Sequence, residues 1–260
     1  MFLFLLRFQK QRTFIQVGAH TGDDSLIAAC RRFGHNLFMF EPIPKRVDDL
    51  EKKAAGSPNI HVIPMAVSNY NGKAKFHIAC HDDCSSLQQF DADANRTWVH
   101  EWHPYKRFEM VDEVEVDVIR LDTFLESRGI KTVDLLEIDA QGEDLRVVES
   151  LGERTADVKS IQIEVNISGL PLYDNSFSKE QAVSFFSKQG FQVHVSWKQS
   201  LNREENVIFR NRRFYSNALL NSLTATLEHY GRAAYIAAVK LPRVIAVTRM
   251  VLRRKMWGTA

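Results

Sequence analysis

The stretch FIQVGAHTGDDSL, Phe14 to Leu26, runs an apolar segment into Gly18, passes a second glycine at Gly22, and then takes up helical spacing. A short buried strand entering a helix through a glycine-bearing loop is the opening unit of an α/β sheet, and in such sheets ligands gather at the carboxyl ends of the strands. The loop GAHTG spaces its glycines four apart and lacks the G-x-G-x-x-G that brings a helix N-terminus against a pyrophosphate. Gly18 can take backbone angles that other residues avoid, and Gly22 permits close approach by a ligand. Glu41 closes the next strand, 23 positions after Gly18. An acid about 20 residues beyond the loop is where a ribose hydroxyl pair is gripped.

Outward from this unit, strand and helix patterns alternate. NLFMFEP reads as a second strand stopped by Pro42, PKRVDDLEKKAAG as a helix, and NIHVIPMAVS as a third strand with a break at Pro64. NYNGKAKFHIA carries an Asn71-Gly72 pair that signals a hairpin-like turn. VEVDVIRL adds an extra strand and LDTFLESRG a helix. VDLLEID is the fourth main strand, GEDLRVVESLG its helix and VKSIQIEVN the fifth. A helix over residues 178–190 and the strands FQVHVSW and NVIFR close the series, the last two separated only by KQSLNREE and so expected as an antiparallel hairpin. The expected fold is α/β: a Rossmann-like, mostly parallel seven-stranded sheet with an antiparallel edge hairpin and helices on both faces.

Of the 260 residues, 45% are hydrophobic and 25% charged, ordinary for a globular chain. Three cysteines, Cys30, Cys80 and Cys84, are too few for a disulfide framework and fit a reduced compartment, here expected to be the cytoplasm. The net charge of +2 hides an asymmetry. From His229 onward there are seven Lys or Arg and no Asp or Glu, which leaves 27 basic against 32 acidic residues, net −5, elsewhere. A generic nucleic-acid binder is not distributed this way, and no nucleic-acid partner is expected. The opening MFLFLLRFQKQRTF is too short to span a bilayer and is expected to pack rather than to act as a signal. The expected organisation is an apolar lead-in over residues 1–13, a main domain over 14–214 with an irregular insertion at 80–112, and a basic helical extension over 215–260.

A glycine loop without a pyrophosphate cradle, joined to an acidic strand end, describes a nucleoside site. S-adenosylmethionine fits, since it offers adenine, ribose and a sulfonium but no phosphate. Several separated motifs extend this reading: FIQVGAHTGDDSL, MFEPIPKRVDDL, VIPMAVSNYNGKAKF, Ser85–Leu87, LDTFL, VDLLEIDAQGEDLRVVESL, IQIEV, LPLYDNSFSKEQAVSFFSKQGFQVH and NREENVIFR. In this order and spacing the chain, from about Phe14 to Phe214, resembles the FkbM-type S-adenosylmethionine-dependent methyltransferases. Against the family patterns FIDVGANxG and KIDVEGAE, it departs at Gln16, His20, Glu137 and Gln141. The resemblance implies that Gln16, Gly18, His20, Gly22 and Ser25 serve the methionine end of the cofactor, that Glu41 holds the ribose, and that Ala66 and Val67 border the adenine. Asp139 would stand beside the methyl group.

Methyl transfer from a sulfonium is a displacement, so the protein must align the nucleophile and, for a hydroxyl, supply a base. The Asp139-Ala140-Gln141 end of the fourth strand is the natural place. It is not the Asn/Asp-Pro-Pro-aromatic element of nucleobase amino methyltransferases. A carboxylate there points to an alcohol on a small molecule, sugar or glycan. Glu164 and Asn166, alternate residues of the fifth strand, share one face and are candidates to converge with Asp139 on substrate or on a divalent cation. His103 is an alternative base in the insertion, where Trp98, Trp102 and Tyr105 suit stacking on a sugar ring. The spacing of Cys80, Cys84, His100 and His103 matches a structural zinc site poorly. After Pro242, helical spacing sets Arg243, Arg249, Arg253 and Arg254 opposite Ile245, Val251 and Leu252. Such an extension can pack on its own domain, mediate a homodimer or make peripheral membrane contact. A non-catalytic nucleotide-binding module acting through that tail is the alternative of a different class.

Overall fold

The computed structural model describes residues 11–98, 108–174, 176–198 and 203–215. The chain divides between Phe214 and Tyr215 into two units, and the first carries the fold described below. Residues 1–10, the insertion's His100, Trp102, His103 and Tyr105, and the extension after Tyr215 lie outside the described residues.

Strand β1 (Thr13–Val17) enters the first helix α1 (Asp24–Phe33) through the glycine loop. Asp23 caps that helix by accepting from the backbone N–H groups of Ser25 and Leu26, and Gly34 ends it in the left-handed region. The helix buries Ile27 and Cys30, one turn apart. Burial pushes the Cys30 thiol up to about 12, so it is a packing group and not a nucleophile. Strand β2 (Asn36–Phe40), helix α2 (Pro44–Ala54) and strand β3 (Ile60–Ile63) repeat the unit.

At Pro64 the chain leaves the main sheet. Strand β4 (Ala66–Val67) belongs to a second, three-stranded sheet with β5 (Gly72–Ala79) and β6 (Met110–Ile119), in the order β4-β6-β5. The single third strand expected across Pro64 is therefore two strands in two sheets. Asn71-Gly72 does turn the chain, but it closes no hairpin, because β6 lies between the two strands it joins. The insertion holds a 3₁₀ turn (Asp82–Cys84) and a short helix α3 (Ala94–Thr97), and its last residues already belong to β6.

Helix α4 (Leu121–Ser127) precedes β7 (Leu135–Ile138), and α5 (Asp144–Glu149) precedes β8 (Ser160–Asn166). Helix α6 (Lys179–Lys188) starts with a reciprocal Ser178–Gln181 capping box, followed by β9 (Phe191–Lys198) and β10 (Glu204–Asn211). The main sheet has the order β3-β2-β1-β7-β8-β10-β9. It is parallel except at β10, which is antiparallel to both neighbours. This is the expected mostly parallel seven-stranded sheet with its edge hairpin. Its strand order reverses at β1, where a crevice opens between the ends of β1 and β7. The core against it includes Phe38, Phe40 and Phe124, whose rings meet edge to face at 5.3 and 4.8 Å. Burying each side chain of this size stabilises the fold by roughly 1.5–3 kcal/mol. Among the described residues no helix is long and apolar enough to cross a membrane.

Candidate active site

Three strand ends meet at the crevice. The backbone N–H groups of Gly18 and Ala19 donate to the Phe40 carbonyl at 3.1 and 2.9 Å, and that of Asp139 donates to the Val17 carbonyl at 3.0 Å. Gly18 has φ +74°, and a Cβ there would sit 1.9 Å from the Asp139 carbonyl oxygen. The residue is glycine because β1 must turn directly against the end of β7. His20 also lies in the left-handed region, at φ +46°. Two structural details of this loop hold it in that shape. Its backbone N–H donates to Glu41 Oε2 at 2.7 Å, and the Ile43 N–H donates to Oε1 at 2.9 Å. Glu41 is 3% exposed. Burial raises its pKa while the two backbone donors pull it back, and each oxygen keeps a second lone pair for a ligand.

The crevice encloses about 510 Å³ of space, part of it open to solvent. Gly18, His20, Glu41, Ala66, Val67 and Asp139 all line it, so six of the residues singled out in sequence share one cavity. Ile43, Met65, Phe76 and Leu87 add an apolar slot beside Ala66 and Val67. Among the described residues, the polar lining contains five carboxylates (Glu41, Asp82, Asp83, Asp139 and Glu143) and no lysine or arginine. Such a lining repels a pyrophosphate and suits a cationic ligand with an adenosine-like apolar face. It therefore fits S-adenosylmethionine.

Other candidates stand elsewhere. Gln16 is buried within the sheet, donating to Glu137 Oε2 at 3.5 Å. Gly22 faces the core: a Cβ there would come within 2.9 Å of Ile27 and 3.0 Å of Leu50. The side chain of Ser25 is exposed on the first turn of α1. Glu164 is half-buried on β8, opposite Asn206 of β10, and outside the cavity lining. Asn166 shapes the following turn, accepting from the Ser168 and Gly169 N–H groups and donating to the Leu170 carbonyl. It is spoken for as a loop cap and not as a metal ligand. Among the described residues, no group of three or more His, Cys, Asp or Glu is placed to hold a metal ion. Trp98, expected on a sugar-stacking surface, is buried with Leu172 and Tyr173. Its indole N–H reaches the Leu170 and Pro171 carbonyls, and Arg203 lies over its ring.

Asp139 is exposed at the crevice yet crowded by the protein around it, and that crowding governs its titration. Burial raises its pKa, a Gln141 hydrogen bond of 2.6 Å opposes this, Asp83 adds to the rise and His20 offsets it. Several residues of the site gave no signal in sequence. Asp82, from the insertion, joins His20 (3.2 Å) to Arg46 (2.5 Å) across the crevice mouth. Burial pushes its carboxyl up, but the hydrogen bonds from His20 and Arg46 win and hold it below the usual range. Glu143 is 2% exposed and accepts from Ser68 Oγ, Gln88 Nε2 and Arg146, tying the end of β4, the insertion and α5 together at the cavity lining.

The sequence profile of the Methyltransferase FkbM domain matches residues 16–193. The 2-O-methyltransferase NoeI of Sinorhizobium fredii (strain NBRC 101917 / NGR234) is 22% identical over 151 residues, 58% of this chain and 61% of that protein. The chain thus matches about three fifths of that relative's length. TrmK of M. capricolum, solved with S-adenosyl-homocysteine, has a TM-score of 0.43 at 8% identity, over 81% of this chain and 68% of that one. Aeropyrum pernix fibrillarin, solved with natively bound S-adenosyl-L-methionine, has a TM-score of 0.43 at 9% identity, over 78% and 68%. Likenesses this distant bear on no detail of the site or its acceptor.

Proposed function

The chain belongs to the FkbM domain family of S-adenosylmethionine-dependent methyltransferases, and from that premise we propose that it methylates a hydroxyl oxygen of a small molecule, sugar or glycan. The observation that carries this reading is the cavity itself. One cavity brings Gly18, Glu41, Ala66 and Val67 together with Asp139, and among the described residues its lining has five acids and no lysine or arginine. The printed name of NoeI, a 2-O-methyltransferase, supports an oxygen acceptor.

When bound, the cofactor supplies a methyl group activated by its sulfonium charge. The chain's own residues do the rest. Glu41 fixes the ribose through its free lone pairs, and the slot beside Ala66 and Val67 takes the adenine. The carboxylates of the lining favour the positive charge. Asp139 receives the acceptor's hydroxyl proton, and its raised pKa brings it nearer the operating range of a base. With the cytoplasm as the expected setting and no nucleic acid as partner, the acceptor is read as a metabolite or glycan hydroxyl.

Calorimetric titration with S-adenosylmethionine, S-adenosylhomocysteine and NAD tests the cofactor half: binding of the first two and not of NAD is expected. A screen with methyl-labelled cofactor against polysaccharide, lipid and metabolite extracts then identifies the acceptor. With that acceptor, Asp139→Asn is expected to lower turnover by roughly 10²–10⁴-fold while cofactor affinity changes little. Absence of binding in the wild type, or undiminished turnover in the variant, would overturn the respective half.

A further inference from the structure

The loop after β7 contains a side chain in an unusual backbone state. Gln141 lies at φ +52°, a region that residues with a Cβ seldom occupy and that persists only where the surroundings impose it. Here they do so from two sides. Ser86 Oγ donates to the Gln141 carbonyl at 2.6 Å. The next residue, Gly142 at φ +89°, presses so closely on Tyr173 that a Cβ would stand 2.6 Å from that side chain.

Tyr173 is 3% exposed and stacks on Phe90 with centroids 5.2 Å apart, so its ring is fixed. Its hydroxyl lies 2.7 Å from Gln141 Oε1 and 2.9 Å from the Cys84 carbonyl, and both of these groups are acceptors. The phenol has one proton for these two acceptors, so the amide is oriented from its other end, where Asp139 needs a donor, and Oε1 is the end that meets the phenol. The NH₂ end donates to Asp139 Oδ1 at 2.6 Å. The amide orientation follows from its partners, since an oxygen beside Asp139 would set two acceptors against each other.

We propose that Tyr173 and Gln141 are positioning residues for Asp139: the phenol fixes the amide, and the amide occupies one carboxylate oxygen. Oδ2 is then the less encumbered oxygen and the one assigned to take the acceptor's proton. This deepens the function proposed above and rests on Asp139 being the base. It also assigns a purpose to the glutamine that replaces the family's glutamate. An amide can donate to a neighbouring carboxylate, whereas a second carboxylate at 2.6 Å would compete with it for a proton. The other titratable groups facing Asp139 are His20 from the β1 loop, Asp83 from the insertion, Asp144 from α5 and Glu204 from β10.

The test needs no acceptor. In the full chain labelled with [¹³Cγ]aspartate, the Asp139 resonance, assigned by its loss in Asp139→Asn, is followed against pH. Gln141→Leu removes the donor to the ionised form, and the midpoint is expected to rise by about one pH unit. Gln141→Glu is expected to rise further and to titrate in two coupled steps. Tyr173→Phe keeps the stacked ring, so the fold should persist, and a smaller upward movement is expected because the amide is released. Midpoints within about 0.2 unit of wild type in folded Gln141→Leu and Tyr173→Phe would overturn the proposal, for a merely structural role leaves this titration in place. Failure of the wild type to bind S-adenosylhomocysteine would instead remove the function reading, and the titration would still decide whether the relay exists.

Discussion

The two walls of the crevice are built by different means. Toward β1 and β2, regular strands end in backbone groups that hold one another: Gly18 and Ala19 on the Phe40 carbonyl, His20 and Ile43 on the Glu41 carboxylate. Toward β7 and β8, the wall is an exchange of side chains from loops far apart in sequence: Asp139, Gln141, Tyr173, and Ser86 from the insertion. The first construction suits a ligand whose shape never changes, such as a cofactor. The second, which the proposed function assigns to the acceptor, can vary by single substitutions without disturbing the sheet, which is where specificity within one fold has to reside.

The sharpest way to break this contrast is at the seam between the walls. In Gly18→Ala the added carbon has no room at 1.9 Å from the Asp139 carbonyl, and φ is unfavourable as well. A loss on the order of 4 kcal/mol is expected. For a chain of this size that corresponds to a fall in Tm of about 10 °C. S-adenosylhomocysteine binding should vanish with it. A melting temperature unchanged by circular dichroism would mean that the seam is looser than its geometry.

Next in size is the cofactor wall alone. Glu41→Ala leaves two backbone N–H groups without their acceptor, each costing about 1–3 kcal/mol where buried, and binding of S-adenosylhomocysteine should weaken by roughly 10–100-fold. Glu41→Gln retains one acceptor oxygen and should recover part of both losses. Calorimetry on the two variants separates the roles. Equal affinity in Glu41→Ala and wild type would show that this carboxylate braces the loop and does not touch the ligand.

A smaller effect is expected behind the acceptor wall. Asp144, 6% exposed, has its pKa raised to about 7 by burial and by Asp139, against backbone donors including Ala140 and Gly142. The unfolded chain ionises this group near the ordinary 3.8, the folded chain near 7. As pH rises between those values the unfolded state has already lost the proton that the native state still holds. Stability therefore falls across that window and stays low above it. Glu204, raised to about 8, acts with the same sign. His35 and His61 act oppositely: burial lowers their pKa values, so they withdraw stability as pH falls through the usual histidine range. The difference between Asp144→Asn and wild type isolates the aspartate. The variant should be more stable at pH 8 by roughly 1–3 kcal/mol and equal to wild type near pH 4. A difference of the same size at both values would trace the effect to lost packing.

What could be read from the sequence follows the same division. The βα units and the edge hairpin were legible because period and punctuation are local: Asp23 and Gly34 bound α1, and Pro64 ends β3. The second sheet was not. Its central strand β6 begins 31 residues after the end of β5, and no turn signal at Asn71-Gly72 tells whether the flanking strands pair with each other or with a third. In the site, Glu41 was found by its distance from Gly18. Gln141, by contrast, reads as the loss of a carboxylate until Tyr173, 32 positions later, is placed against it. Burial misled in one case, since Trp98 looks like a binding aromatic in sequence but packs into a satellite core.

The smallest expected effect marks the edge of the cofactor wall. The family resemblance implies that Ser25 serves the methionine end, yet only its backbone N–H is used, by the Asp23 cap, and its side chain is exposed. Ser25→Ala keeps that backbone donor. Its Tm should stay within about 2 °C of wild type, as for a surface substitution worth no more than ±0.5 kcal/mol. Affinity for S-adenosylmethionine should hold within about twofold, since RT ln 2 is under the same ±0.5 kcal/mol. A tenfold loss with an unchanged Tm would show that the hydroxyl touches the ligand. The cofactor wall would then extend beyond the glycine loop to a side chain, and the backbone-built character that distinguishes it from the acceptor wall would hold only for its ribose end.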